Sequence, residues 1–489
     1  MSVAARDIRP DLAERYRQVR PYEEAEVSLV EALVRRPDRL PRRLELTLRT
    51  ILNLARVWVI RSGDRDIPVG LRLGVFRDHL RPLVDRLLKA RGDLDPRDLG
   101  RDAEHLDAIL NAAGEQVLAE HTSALSAERL DEELGRKHLV LCLGGGGGCG
   151  YVHLGAFSFL ESARIEPAGI VGSSIGALLG LFRANRLSVH SSLVRTIAFD
   201  LRFKDMFRLL ESETRYALPG ALRVHLRSGL ERFFLDETGQ PLKIRDIPIP
   251  FISVVAGVRR EAFETVRPYE REFRRVLRRG PLGRLLQIKD LTADLSKLLR
   301  DLVSTPGALE TLPLGADMLT QGFDAVDAVG FSTSLPAVLQ YDLTRDDTRM
   351  HRLMAELLHR EGVDALTDGG LVANVPGRVA WEMIQSGRLG SRNAMVLGLD
   401  CFPASVGRHI LFLPLQRIAA ENVSRDLHFM QMLLRYRRVP SPINVMPSFR
   451  TIEVAMRWGR EELSRASPIL LKMLEPLPPR FTHRKAAFQ

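Results

Sequence analysis

The sequence predicts an α/β fold with a mostly parallel central sheet, accompanied by a helical N-terminal region and a helical insertion. Two observations predict this class. From His138 onward, short apolar runs typical of buried strands alternate with helix-like segments, and glycine-rich turns follow two of these runs. Strands that alternate with helices form a mostly parallel sheet covered by helices. Such sheets carry their functional sites beyond the carboxyl ends of the strands, so the glycine-rich turns are candidate site loops.

Residues 1–136 are predicted to form a helical, highly charged N-terminal region. The runs VSLVEALVRR and LRTILNLARVWVI have apolar residues at helical spacing. A further predicted helix, HLRPLVDRLLKARGDLDP, is ended by Gly92 and Pro96. No catalytic motif occurs in this region, and no function is predicted for it.

Residues 137–400 are predicted to form the α/β domain. Its first two strands are each followed by a helix, VHLGAFSFLESA and SSIGALLGLF. The predicted strands are HLVLCL (138–143), GIVG (169–172), PFISVVAG (250–257) and NAMVLGLD (393–400).

Within this domain, residues 258–325 are predicted to be a helical insertion. The run YEREFRRVLRRGPLGRLL is densely basic, and QIKDLTADLSKLLRDLV places its leucines on one helical face. The insertion either packs on the domain or forms a mobile cap that meets an anionic membrane. Residues 401–489 are predicted to be a mainly helical extension packed on the domain, with one long helix over 413–438.

The chain of 489 residues has the composition of a globular protein, with 45% hydrophobic and 27% charged residues. Its formal net charge is +10, and only eight of its 71 basic residues are lysine. An arginine-rich surface favours phosphate-bearing partners such as nucleic acid, phospholipid head groups or phosphorylated metabolites. The alternative is a soluble protein whose composition simply favours arginine.

The N-terminal sequence and the cysteines indicate in which cellular compartment the protein is expected. The N-terminus is charged throughout and lacks the apolar core of a secretory signal, and no run of about 18 apolar residues occurs. The spacing of Cys142, Cys149 and Cys401 fits neither a disulfide framework nor a zinc site. We therefore expect a cytoplasmic protein that reaches membranes only at their surface. The sequence does not predict an oligomeric state.

The stretch LGGGGGCGYVHLG (143–155) admits two interpretations. Gly145, Gly147 and Gly150 match the phosphate-binding pattern G-x-G-x-x-G, although five glycines in a row make that match nearly automatic. A dinucleotide site also needs an acidic residue at the end of the second strand, where this chain has Gly172 and Ser173. Nucleotide binding is therefore the minor alternative. The other interpretation is a backbone that approaches a reacting group.

The stretch Gly172-Ser173-Ser174-Ile175-Gly176 matches G-x-S-x-G between a predicted strand and a predicted helix. A serine on such a sharp turn would collide with side chains two residues away, and glycines there relieve the crowding. Ser174 is thus a candidate nucleophile beside a helix N-terminus. The alternative is a serine that only caps the helix.

A serine hydroxyl needs a neighbour that takes its proton. The run ALTDGGLVANVP offers Asp368, which ends an apolar segment and precedes Gly369 and Gly370. The alternative for Asp368 is a simple Asp-Gly turn.

Together, the three motifs resemble those of the patatin-like phospholipase family. That family has a G-G-G-x-[RK]-G loop, a G-x-S-x-G elbow and a D-G-[GA] motif in this order, and the resemblance covers about residues 138–400. Smaller features agree: His153-Leu154-Gly155, Ser334-Leu335-Pro336 and Asn374-Val375-Pro376. The resemblance implies a three-layer α/β fold and hydrolysis of lipid acyl esters, mostly glycerophospholipids and neutral lipids.

The resemblance also implies how the site works. Ser174 is expected to be the nucleophile and Asp368 its base, in a dyad without histidine. The ordinary pKa of an aspartate, about 3.9, is too low for an efficient base, so the site must bury Asp368 or join it directly to the serine hydroxyl. No metal and no cofactor is predicted. The expected oxyanion hole is the backbone of Gly145, Gly146, Gly147, Gly148, Cys149 and Gly150.

Several alternatives stay open. Cys149 stands where the family has arginine or lysine, so a catalytically weak module that binds lipid or a partner is the second functional hypothesis. A serine–aspartate–histidine triad could use Asp400 with His409 or His428. His153 is expected to be structural. The expected partners are a lipid ester substrate and an anionic membrane surface, and not nucleic acid.

Overall fold

The structure is a computed structural model whose described part forms two compact units. The first unit comprises the described residues of Met1–Leu139, Trp381–Val396 and Ser464–Gln489, and the second those of Val140–Ala380 and Leu397–Leu463. The domain bounds given above remain a prediction. The described residues are 10–90, 99, 103–188, 207–209, 214–277, 301–303, 305–344, 346–403 and 412–482.

In the described residues before β3, five α-helices and a β-hairpin contribute their buried apolar side chains to one core of the first unit. The helix predicted over LRTILNLARVWVI is wrong beyond Arg56, because the β-branched and aromatic residues that follow it favour a strand. Its elements are α1 (Pro10–Arg35), α2 (Arg42–Arg56), β1 (Val59–Ser62), β2 (Arg65–Pro68), α3 (Gly74–Ala90), α4 (Ala103–Glu120) and α5 (Ala127–Gly135).

Within the described ranges, the central sheet has seven strands and is mixed but mostly parallel, which confirms the predicted α/β class. The strands that follow the hairpin are β3 (His138–Leu143), β4 (Gly169–Ser173), β5 (Phe207–Leu209), β6 (Gly220–Val224), β7 (Phe251–Arg259), β8 (Leu309–Leu314), β9 (Ala337–Gln340), β10 (Val363–Asp368), β11 (Ala394–Asp400) and β12 (Met432–Arg435). The order in the central sheet is β10-β7-β4-β3-β11-β12, with β8 also paired to β7. A smaller sheet, which the sequence did not predict, has the order β5-β6-β9.

Helices follow most of these strands, as the alternating pattern predicts. Both helices predicted directly after the glycine-rich turns are present. The helices are α6 (Val152–Ser162), α7 (Ile175–Ala184), α8 (Leu226–Leu230), α9 (Arg260–Leu277), α10 (Ala325–Ser332), α11 (Thr348–Glu361), α12 (Gly377–Gln385), α13 (Leu413–Asp426) and α14 (Phe449–Leu474).

Two strands end head to head along one edge of β7. β4 runs parallel to β7 and places Ser173 opposite Val254. β10 runs antiparallel to β7 and places Asp368 opposite Val255. Because β8 pairs with the same stretch of β7, it occupies the opposite edge. The register therefore brings the ends of β4 and β10 to adjacent positions of one strand.

Two helical predictions are corrected. The segment 258–325 contains β8, whose antiparallel pairing with β7 satisfies its backbone hydrogen bonds within the central sheet. Helix α9 confirms the first part of the predicted insertion, whereas most of its amphipathic run lies outside the described residues. The long helix predicted over 413–438 ends at Asp426, and β12 follows it. Among the described residues, no helix is long and apolar enough to cross a membrane.

Candidate active site

Ser174 lies between β4 and α7 in a backbone conformation that L-residues rarely adopt, with φ 53° and ψ −128°. The flanking glycines are sterically required. A Cβ on Gly172 would lie 2.6 Å from the Cα of Ala177, and a Cβ on Gly176 would lie 2.3 Å from the carbonyl oxygen of Leu143. Since backbone atoms cannot yield as a flexible side chain can, both positions must be glycine for this turn to form.

Ser332, which the sequence analysis did not single out, holds this turn in place. The backbone N–H of Ser174 donates to Ser332 Oγ at 2.9 Å, and the Ser332 hydroxyl donates to the carbonyl oxygen of Val254 at 2.5 Å. Ser332 is fully buried at the end of α10. It therefore fixes the strained turn to β7. The only sequence signal was its position just before the Ser334-Leu335-Pro336 stretch.

The Ser174 hydroxyl donates a hydrogen bond to Asp368 Oδ2 at 2.6 Å. The other carboxylate oxygen, Oδ1, accepts from the backbone N–H of Gly370 at 2.7 Å. Burial raises the pKa of Asp368 to about 6, although the hydrogen bonds from Ser174 and Gly370 counteract this rise. The carboxylate is therefore a stronger base than an exposed aspartate and is still largely ionised at neutral pH.

The loop around Asp368 is held from two further sides. The carbonyl oxygen of Ser334 accepts from the Asp368 N–H at 2.8 Å and from the Thr367 hydroxyl at 3.0 Å. The Asn422 side chain on α13 donates to the carbonyl oxygen of Leu371 at 2.9 Å. Asn422 carried no sequence signal, because nothing in its local pattern indicates that α13 lies beside this loop.

The loop after β3, residues 144–151, is the glycine loop, and several of its backbone N–H groups donate hydrogen bonds. Gly148 donates to the carbonyl oxygen of Pro442 at 2.9 Å, Cys149 to that of Gly146 at 3.2 Å, and Gly145 makes a long bond of 3.4 Å to Asn374. Among the described residues, no acceptor is found for the N–H groups of Gly146 and Gly147. These two glycines have φ values of 148° and 55° and line the same cavity as Ser174.

Cys149 and His153 support the glycine loop. The Cys149 thiol donates to the carbonyl oxygen of Pro440 at 3.1 Å, and burial raises its pKa to about 12. His153 is fully buried and donates from Nε2 to the carbonyl oxygen of Gly144 at 3.0 Å. Burial lowers the pKa of His153 to about 4, although the bond to Gly144 opposes this, so the ring is neutral at physiological pH. Neither side chain lines the cavity.

Ser174 and Asp368 line a cavity of about 370 Å³, a size within the range of small-molecule sites. Its walls are overwhelmingly apolar. They come from α7, the small sheet, α8, α13 and the loop before α14. Representative lining residues are Leu178, Phe182, Leu226, Leu339, Phe402 and Ile443.

The residues of the alternative triad lie elsewhere. The Asp400 carboxylate accepts from the Phe402 N–H at 3.0 Å and lies 3.6 Å from Arg435 Nε. His428 is exposed, and neither Asp400 nor His428 lines the cavity. His409 lies outside the described residues.

One cluster of carboxylates in the described part has the spacing of a cation site: Asp324, Asp327 and Asp347. The Arg227 guanidinium already pairs with all three, at 2.9 Å from Asp324 and from Asp347 and in a shorter contact with Asp327. This cluster is therefore an ion-pair network centred on arginine, and it fixes α8 beside the cavity.

Comparisons with known proteins assign the central part of the chain to a family. Residues 141–381 match the family model described as patatin-like phospholipase, which confirms the resemblance and the predicted fold. The chain is also similar to uncharacterized NTE family proteins of Mycobacterium bovis and of two strains of Mycobacterium tuberculosis. Each is 32% identical over 121 residues, which make up 24% of this chain and 31% of the relative. The match thus spans about a third of the length of these relatives.

Proposed function

Because residues 141–381 form a patatin-like phospholipase domain, we propose that this chain hydrolyses acyl ester bonds of lipids, with glycerophospholipids as the main substrate class. The observation that carries the proposal is the 2.6 Å hydrogen bond from Ser174 Oγ to Asp368 Oδ2 at the wall of an apolar cavity. An acyl chain fits such walls, which offer it apolar contacts, and Asp368 is the one side chain charged at neutral pH among the lining residues that the structure describes.

In the first half of the proposed reaction, Asp368 Oδ2 accepts the hydroxyl proton as Ser174 Oγ attacks the ester carbonyl carbon. The carbonyl π electrons move to oxygen and give a tetrahedral oxyanion. The N–H groups of Gly146 and Gly147, which lack an acceptor among the described residues, are the proposed donors to this oxyanion. The Gly145, Gly148 and Cys149 N–H groups already donate elsewhere, so we assign them the support of the loop.

In the second half, Asp368 returns its proton to the leaving alcohol as the C–O bond breaks, and the acyl group stays on Ser174. Water then attacks the acyl carbon, gives a proton to Asp368 and passes through a second oxyanion. Collapse of this intermediate releases the fatty acid, and the proton returns to Ser174 Oγ. Asp368 thus accepts and returns each proton, and its pKa of about 6 lets it act as a base and, once protonated, as an acid near neutral pH.

We also propose that the substrate is taken from an anionic membrane surface. The chain carries a formal net charge of +10, and basic proteins concentrate at anionic lipid. The Cys149 thiol donates to the carbonyl oxygen of Pro440, and Cys149 does not line the cavity. At the position where the family usually has a basic side chain, this chain therefore offers no cation to the phosphate of a head group.

Fatty-acid release from phospholipid vesicles tests the dyad. We expect Ser174→Ala and Asp368→Asn each to lower the rate at least 100-fold, with Asp400→Asn as the control, since Asp400 is also a buried carboxyl at the end of a strand. Full activity of Asp368→Asn together with loss in Asp400→Asn would replace the dyad by the alternative triad.

A fluorophosphonate probe separates an enzyme from a module that only binds lipid. The proposed function requires stoichiometric labelling of Ser174 and its disappearance in Ser174→Ala. Lipid binding without any labelling of the wild-type protein would favour the binding module.

A further inference from the structure

The loop that joins β12 to α14, residues 436–448, lies at the opening of the cavity; we call it the rim loop. Its Ile443 lines the cavity and yet is 66% exposed. Val338 on β9 also lines the cavity and is 39% exposed. A side chain that faces both the cavity and solvent marks the place where the two meet. Ile443 therefore stands at the mouth, where an exposed isoleucine has no role in packing the core.

The chain segment on either side of Ile443 is basic. The stretch 435–450, RYRRVPSPINVMPSFR, contains four arginines and no acidic residue. Arg435 and Arg438 pair with carboxylates. Arg437 and Arg450 are exposed, and no acidic partner for either is found in the described part of the chain. An apolar tip flanked by unpaired arginines is complementary to a bilayer with anionic head groups.

The rim loop is hydrogen-bonded to the glycine loop at three points, always through its own carbonyl groups. Pro440 accepts from the Cys149 thiol at 3.1 Å, Pro442 from the Gly148 N–H at 2.9 Å, and Val445 from the Tyr151 hydroxyl at 2.7 Å. The two loops are in direct contact, since a Cβ on Gly147 would lie 2.5 Å from the carbonyl oxygen of Pro442. The rim loop thus supports the glycine loop that lines the cavity beside Ser174.

We propose that the rim loop is the lipid-docking element of this protein. Ile443 enters the acyl region of an anionic bilayer, Arg437 and Arg450 contact the head groups, and the cavity mouth opens toward the lipid. The same contact steadies the glycine loop through Pro440, Pro442 and Val445. The proposal rests on the proposed function for its substrate, but docking itself requires no hydrolysis.

Co-flotation with vesicles tests docking separately from catalysis. The protein carries Ser174→Ala so that the lipid stays intact, and the vesicles contain phosphatidylcholine with or without 30% phosphatidylglycerol. We expect Ile443→Ser to lower the bound fraction at least fivefold and Ile443→Leu to retain it. Arg437→Glu combined with Arg450→Glu should abolish the preference for anionic vesicles. The matched control is Met318→Ser, because Met318 is 84% exposed but does not line the cavity, and it should bind like the parent.

Equal flotation of Ile443→Ser and its parent would overturn the proposal. An equal loss in Met318→Ser would also overturn it, as would a change of oligomeric state in Ile443→Ser that accounts for the lost binding. Fluorophosphonate labelling of Ser174 in the wild-type protein reports on the proposed function alone. Docking through Ile443 without such labelling would reject the proposed function and keep this inference. Labelling with unchanged flotation of Ile443→Ser would reject only the inference.

Discussion

Ser174 Oγ and Asp368 Oδ2 lie 2.6 Å apart, although 194 positions separate the two residues in the chain. The register of β7 explains this proximity. β4 ends opposite Val254 and β10 ends opposite Val255, so the turns that follow the two strands start side by side. Ser332 adds a third connection, because it bonds both to Ser174 and to Val254. The geometry of the pair is thus set by one strand of the central sheet.

The pKa of Asp368 predicts the pH dependence of hydrolysis. Protonated Asp368 cannot accept the proton of Ser174, and burial raises its pKa to about 6. We therefore expect kcat/KM on a soluble ester to be level above pH 7 and to fall about tenfold for each pH unit well below 6. An inflection near pH 4 would indicate a solvated carboxylate, and an inflection lost in His428→Ala would indicate a histidine base.

The same burial predicts a gain in stability when the charge is removed. At pH 7 Asp368 is ionised in both the folded and the unfolded protein, and the folded state bears the cost of the buried charge. That cost is relieved as the pH falls from about 6 toward the ordinary value of 3.8. We expect Asp368→Asn to raise the free energy of unfolding by up to about 3 kcal/mol at pH 7.

Urea unfolding of both proteins at pH 7 and pH 4.5 measures this difference. The advantage of Asp368→Asn should shrink at the lower pH, while activity is lost throughout. A variant that is less stable than the wild type at pH 7 would show that the carboxylate contributes more through its hydrogen bonds than burial costs it.

Ser332 is predicted to position the nucleophile. Ser332→Ala removes the acceptor for the Ser174 N–H, so the strained turn loses its attachment to β7. We expect kcat to fall roughly tenfold with little change in KM, and fluorophosphonate labelling to slow in proportion. The free energy of unfolding should fall by about 1–2 kcal/mol.

Ser253→Ala is the matched control for Ser332→Ala. Ser253 is also fully buried and donates to a backbone carbonyl, that of Ala328, but its hydroxyl does not bond to the Ser174 turn. It should lose comparable stability and keep the wild-type labelling rate. Equal slowing of labelling in both variants would show that Ser332 contributes to packing and does not position Ser174.

Cys149 is predicted to act through its hydrogen bond and its size. Cys149→Ser keeps a donor to the Pro440 carbonyl and should retain most of the hydrolysis of a soluble ester. Cys149→Arg restores the side chain usual in the family but places a guanidinium in a buried site packed against the rim loop. We expect it to lose several kcal/mol of stability, as a thermal melt would show. A stable and faster Cys149→Arg would mean that the arginine reaches the cavity after all.

The accuracy of the sequence-based predictions differed along the chain for physical reasons. The elbow and the Asp-Gly-Gly turn were found because close backbone approaches require glycine at fixed positions, which leaves a local pattern. β8 and β12 were missed because their pairing partners lie far away in sequence, and short strands have little periodicity of their own. Ser332 and Asn422 were missed for the same reason, since each acts on a loop from another element.

The sequence by itself determined the α/β class and the family resemblance and singled out Ser174 and Asp368 as candidates, because strained turns and buried strands restrict residue types locally. Only the tertiary structure decided that Gly146 and Gly147 keep their N–H groups available while Gly145 and Gly148 do not, since the carbonyls of Asn374 and Pro442 that occupy those two donors come from distant segments. It likewise gave Cys149 its partner, Pro440, and placed Ile443 at the cavity mouth. Hydrogen bonds between segments far apart in the chain depend on the packed arrangement of the strands, which no local pattern specifies.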